Sequence, residues 1–158
     1  MTANETRTDG EATTEQKTTL TFMCVRNAGR SQMATAFAER EVAERGLEDE
    51  VELVTGGTHP ADSVHEVVVE ALAEVGLDVS GRIPQHVSDE TLEASDFVAT
   101  MGCSTLELER VDTDDWDLDD PGEQPIEVVR EIRDEIERRV IALFDERFGE
   151  QIDEHGGE

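Results

Sequence analysis

Leu20-Thr21-Phe22-Met23-Cys24-Val25-Arg26-Asn27-Ala28-Gly29-Arg30-Ser31 is an apolar run that ends in a polar loop and passes into a helical pattern. Leu20 to Val25 has the length of a strand, Asn27 to Gly29 break it, and helical spacing then continues from about Arg30 to Arg45, where Gly46 stops it. The alternation repeats along the chain. Val51 to Thr55 reads as a second strand ended by Gly56 and Gly57, and Val64 to Val75 as a second helix ended by Gly76. Ser88 can cap a short helix with Asp89 and Glu90 in its first turn, Phe97 to Met101 is a third buried strand, and Val111 to Leu118 holds a weakly signalled fourth. Pro125 suits the first turn of a last helix whose Ile126, Val129, Ile132, Ile136, Val140, Leu143 and Phe144 recur at helical spacing as a core stripe. Strands alternating with helices predict an α/β fold, a parallel sheet covered on both faces, with ligands at the carboxyl ends of its strands.

The loop after the first strand is therefore where chemistry is expected. Cys24 and Arg30, with five residues between them at the passage from strand to helix, bracket a set of backbone N–H groups near a helix N-terminus, where an anion is favoured. The same positive field makes Cys24 a candidate thiolate nucleophile. Arg30 can fork onto two oxygens of a tetrahedral oxyanion, a geometry that lysine does not reproduce. The intervening Val25, Arg26, Asn27, Ala28 and Gly29, with Ser31 beyond, are the candidate substrate-binding residues. Ser31 can donate to the sulfur, Asn27 can hold the turn through backbone hydrogen bonds, and Gly29 permits close backbone approach. Arg26 either adds positive potential at the mouth or is a solvated loop arginine.

Composition bounds the rest. The 158 residues carry 40 acidic against 13 basic side chains, a formal charge of −27, with Lys17 the single lysine. One core is what this length supports, and the charge repels nucleic acid and anionic lipid. Acid spread over every segment predicts a fold that relies on concentrated salt to screen its self-repulsion, as in halophilic cytoplasms, and an activity that rises as salt screens the approach of anions. Residues 1 to about 17 are polar enough to predict a disordered acidic tail, the domain occupies 18–149, and 150–158 form a polar tail that includes His155. The N-terminus lacks the apolar core of a signal peptide and no segment reaches membrane-spanning length, so a cytoplasmic protein is predicted. Cys24 and Cys103 do not make a short metal-ligand spacing, and His59, His65 and His86 are irregularly spaced, so no metal is expected and the histidines read as ordinary loop residues.

Cys24-Val-Arg-Asn-Ala-Gly-Arg-Ser-Gln-Met-Ala34, followed by Thr55-Gly-Gly-Thr-His-Pro60 and Trp116-Asp-Leu-Asp-Asp-Pro121, resembles the low-molecular-weight protein tyrosine phosphatase superfamily from about Leu20 to Phe148. The loop, with Val79-Ser-Gly-Arg82, Thr100-Met-Gly-Cys103 and the tryptophan segment, is most similar to its arsenate reductase branch. The resemblance implies a four-stranded parallel sheet with flanking helices, Cys24 as nucleophile, Arg30 as oxyanion binder and Asp120 as general acid. The residues themselves do not single out Asp120, because Asp114, Asp115, Asp117 and Asp119 crowd it. A carboxylic acid near the leaving oxygen is nonetheless what the reaction requires.

Phosphatases of this kind carry an aromatic pair after the Asp-Pro; here Gly122 and Glu123 follow, and the chain has no tyrosine. That departure favours arsenate, with a phosphate monoester as the alternative substrate and a redox-sensing or oxyanion-binding module as a third reading. For arsenate, Cys24 attacks arsenic and a second thiol then attacks the Cys24 sulfur. The three-cysteine relay of thioredoxin-coupled relatives is absent. Either an external small thiol resolves the adduct, or Cys103 does so and thioredoxin or glutaredoxin restores the pair. The external thiol is preferred here, since the loop lacks the extra cysteine that many members of the resembled family carry at the Gly29 position, and Cys103 reads equally as a small hydrophobe after a buried strand. No bound cofactor is implied, and the oligomeric state is not encoded in any motif.

Overall fold

The computed structural model describes residues 17–101 and 111–149. The predicted N-terminal tail, the C-terminal tail and Cys103 fall outside the described residues, save for Lys17. The elements in chain order are β1 (Thr18–Cys24), α1 (Arg30–Arg45), β2 (Val51–Gly57), α2 (Glu66–Ala73), α3 (Asp89–Ala94), β3 (Phe97–Met101), β4 (Asp112–Asp115) and α4 (Ile126–Phe148). The sheet order is β2-β1-β3-β4 and every pairing is parallel. This is the expected four-stranded α/β architecture. The central strand β1 ends at Cys24, level with Gly57 of β2 and Met101 of β3, so the nucleophile candidate stands at the carboxyl edge.

Alternation along β1 divides the core in two. Leu20, Phe22 and Cys24 face a large cluster with Met33 and Phe37 of α1, Val68 and Leu72 of α2, and Val129, Ile136, Val140 and Phe144 of α4. Met23 faces the other side with Val98, Val87 and Leu92 of α3. Each such side chain taken fully out of water contributes about 1.5–3 kcal/mol. The predicted stripe on α4 is therefore core, as its spacing required.

Boundaries moved where backbone contacts overrode local pattern. β2 continues through Gly56 and Gly57 instead of ending before them, because these glycines are strand positions where neighbours press close. A Cβ at 56 would stand 2.0 Å from Val87 Cγ2, and one at 57 would stand 2.6 Å from the Val25 carbonyl oxygen. α2 begins at Glu66, two residues later than predicted, since His65 is extended (φ −59°, ψ 136°). Pro125 sits one residue before α4, at its cap. Gly46 does end α1 as expected, in the left-handed region at φ 68°.

β4 is exposed along its whole length, and three of its four residues are aspartate. Charge on an edge strand discourages pairing with another chain. Arginines join the helices: Arg45 bridges Glu41 and Asp145, Arg40 bridges Glu41 and Glu137, and Arg130 and Arg133 both reach Glu74. The hydrogen bond from Arg130, helped by Arg133, holds the Glu74 carboxyl down at about 2. No helix among the described residues is long and apolar enough to cross a membrane.

Candidate active site

The loop from Cys24 to Arg30 is shaped from outside. The N–H groups of Thr58, His59, Ala61 and His65 donate to the carbonyls of Cys24, Val25, Arg26 and Ala28 at 3.2, 2.7, 2.9 and 3.0 Å. Gln32 Nε2 takes the Asn27 carbonyl at 3.1 Å. With these carbonyls engaged by neighbouring segments, the Asn27 N–H donates to Cys24 Sγ at 3.2 Å. The Ser31 hydroxyl stands 2.9 Å from the same sulfur. These are the donors that negative charge on sulfur needs. Cys24 itself is buried, and among the described residues it has no disulfide partner.

Asn27 is the keystone of the turn. Its φ of 53° lies in the left-handed region, which asparagine tolerates better than most residues. Its Nδ2 donates to Ser31 Oγ at 2.7 Å and Thr55 Oγ1 at 2.9 Å, while Oδ1 accepts from Gln32 Nε2 at 3.1 Å and the Gln85 N–H at 3.0 Å. The residue is wholly buried. Asn27→Ala strands these partners without solvent, so a loss of about 2–4 kcal/mol is expected in denaturant unfolding. A loss under about 1 kcal/mol would contradict this account of the turn.

The first turn of α1 is open to an anion. Gly29 at its cap offers no side chain to the helix N–H groups, and no acidic residue occupies the first turn. α3, by contrast, is capped by Ser88, whose side chain accepts from the Thr91 N–H, with Asp89 and Glu90 beside it, as predicted. Arg30 is buried, its Nη1 donates to the Leu118 carbonyl at 3.0 Å, and its Nε has no partner among the described residues. A buried guanidinium donor without an acceptor is costly unless something arrives to take it.

Among the crowded aspartates, Asp120 is the one paired with Arg30. Asp112 pairs with Arg147, Asp114 accepts from the Trp116 indole, and Asp115 accepts from Thr100 Oγ1. Asp120 Oδ2 instead lies 3.9 Å from Arg30 Nη2, and its Oδ1 accepts from the Gly122 N–H at 2.9 Å. The carboxyl is 60% exposed. Pro121 carries the turn onto the loop: a Cβ at Gly29 would stand 2.6 Å from Pro121 Cγ. Trp116 secures the approach, since it is 4% exposed with its ring 6.0 Å from that of Phe22.

Of the residues read from sequence, Cys24, Asn27, Arg30, Ser31 and Asp120 thus meet at one edge of the sheet. Ala28 and Gly29 are buried in the loop, Val25 packs on the second core cluster, and Arg26 is exposed. His59 and His86 are exposed, and His65 lies against the loop and the Asp120 turn. Among the described residues no group of three His, Cys, Asp or Glu side chains is arranged to hold a metal ion. Sequence reading missed Thr55 and Gln85, which complete the Asn27 network; a threonine just before the Gly56-Gly57 pair was the available signal.

Comparison with known proteins agrees with this geometry. The family model for low molecular weight phosphotyrosine protein phosphatases matches residues 19–155. A Halobacterium salinarum protein provisionally named an arsenate reductase is 66% identical over 127 residues, covering 79% of this chain and 89% of that one. The glutaredoxin arsenate reductase of Synechocystis is 33% identical over 128 residues, covering 78% and 93%. Among solved structures, the thioredoxin-dependent arsenate reductase of Corynebacterium glutamicum superposes with a TM-score of 0.68 at 34% identity. That match covers 82% of this chain and 61% of the other, so this chain spans less than two thirds of that relative's length.

Proposed function

The chain belongs to the low molecular weight phosphotyrosine protein phosphatase family, and we propose that it reduces arsenate to arsenite with Cys24 as the nucleophile. Arsenate would enter with its oxygens on the N–H groups of residues 25–31 and on the Arg30 guanidinium. The Cys24 thiolate attacks arsenic, a sulfur–arsenic bond forms, and one arsenic–oxygen bond breaks. That oxygen departs as water after protonation by Asp120. A second thiol then attacks Sγ, and the sulfur–arsenic electron pair goes to arsenic, which leaves as arsenite while the two sulfurs become a disulfide. A further thiol restores Cys24.

The observation that carries arsenate over an aryl phosphate is the acid turn. Gly122 and Glu123 follow Pro121, and the one tryptophan is buried against Phe22. The turn therefore offers no aromatic face to a phenol ring. The reductant is an external thiol in this reading, whether a small molecule, thioredoxin or glutaredoxin; the dependence of the Synechocystis and Corynebacterium relatives on such proteins supports that class. Resolution by Cys103 is the competing route.

One assay in molar salt tests both points. Arsenite release is expected with arsenate plus thiol, thioredoxin or glutaredoxin, and little hydrolysis with 4-nitrophenyl phosphate. Fast aryl-phosphate hydrolysis without arsenite makes the chain a phosphatase, and absence of either turnover leaves a sensor. Thiol-dependent turnover that survives in Cys103→Ala excludes Cys103 as the resolving residue; its loss there assigns Cys103 that role.

A further inference from the structure

The seam between the oxyanion loop and the acid turn is filled by a group the reaction above does not use, the imidazole of His65. Its backbone N–H donates to the Ala28 carbonyl at 3.0 Å, which seats the residue against the loop just before α2. A Cβ on Gly29 would stand 3.5 Å from His65 Cδ2. A Cβ on Gly122 would stand 2.9 Å from His65 Nε2 and 3.2 Å from Cε1, and 3.4 Å from Asp120 Oδ1. One edge of the ring thus faces the oxyanion loop and the other faces the turn that carries Asp120.

The stereochemistry of that turn shows why residue 122 is glycine. The Gln124 N–H donates to the Pro121 carbonyl at 3.2 Å, closing a turn over Gly122 and Glu123. The left-handed position, which would favour glycine on backbone grounds, is residue 123, and it is a glutamate at φ 66°. Gly122 is not left-handed. The glycine stands where the imidazole needs room.

We propose that His65 is a positioning residue, whose ring sets how the Asp120 turn rests on the oxyanion loop. The proposal rests on Asp120 being the proton donor of the reductase reaction. Small errors in placing a reacting group cost much rate, so His65 should act on kcat while arsenate binding stays with the loop and Arg30.

The test is a kinetic cycle on the full chain in molar KCl, using His65→Ala, Gly122→Ala and the double variant with arsenate and thiol. Each single change is expected to lower kcat about ten-fold with KM for arsenate within about two-fold. The double variant should fall no further than the worse single one, because the added methyl enters space the ring has left. His65→Gln, which keeps reach and polarity, should return kcat to within about three-fold of the unmodified protein and guards against misfolding.

A second readout needs no turnover. The Gly122 amide, bonded to Asp120 Oδ1, should exchange with solvent about ten-fold faster in His65→Ala and recover in His65→Gln, as followed by NMR. Losses that simply multiply in the cycle, or Gly122 exchange unchanged in His65→Ala, overturn the proposal. If the unmodified protein releases no arsenite, the reductase reading falls and the exchange measurement alone decides the role of His65.

Discussion

Replacing Cys24 by serine is expected to abolish arsenite release, by at least about a thousand-fold, with the fold intact. The side chain is buried at the end of the central strand, and a serine hydroxyl accepts the same Asn27 N–H and meets the same Ser31 hydroxyl that the sulfur does. An alcohol is not ionised at neutral pH and forms no disulfide, so both the attack on arsenic and the later transfer of electrons to it are lost. Arsenite release under thiol excess, with unfolding followed separately, checks both halves. Residual turnover above about one hundredth of the unmodified rate would remove Cys24 from the reaction.

Arg30→Lys is expected to lower kcat by about a hundred- to a thousand-fold. The guanidinium does two things at once in this structure. Its Nη1 holds the Leu118 carbonyl, on the segment leading to Asp120, and its buried Nε, without a partner among the described residues, is the donor proposed to meet the oxyanion. A lysine has one head group and cannot serve both directions, so charge is kept while the fork is lost. Steady-state kinetics with arsenate measure this, and a variant within about ten-fold of the unmodified protein would show that charge alone suffices.

The parts of the fold that could be read in advance were those whose side chains carry the signal. Leu20 to Cys24, the stripe on α4 and the Ser88 cap all follow from hydrophobic spacing or cap chemistry, and they stand where the sequence placed them. β4 was only a weak reading because Asp112–Asp115 has no buried face; its pairing with β3 is a backbone matter. The start of α2 was misplaced for a similar reason, since the His65 N–H is drawn to the Ala28 carbonyl and no side-chain pattern announces it.

The site divides in the same way. Cys24, Asn27 and Arg30 were legible because their types and spacing suit an oxyanion loop. Asp120 was not separable from its acidic neighbours by sequence, and what sets it apart is its ion pair with Arg30, a contact made across the fold. His65 looked like an ordinary loop histidine because the glycine that makes room for it, Gly122, lies far from it in the chain.

The segment from Thr58 to His65 that takes up the carbonyls of the Cys24 loop has a consequence for how the catalyst is lost. The loop's conformational entropy is spent when β1 and β2 come together, before any arsenate arrives, so the binding geometry has no melting transition of its own. A chain with a formal charge of −27 is expected to loosen as salt is withdrawn, and the loop would then be lost together with the packing that shapes it. Salt is then expected to set the number of working sites as well as the approach of anions to each.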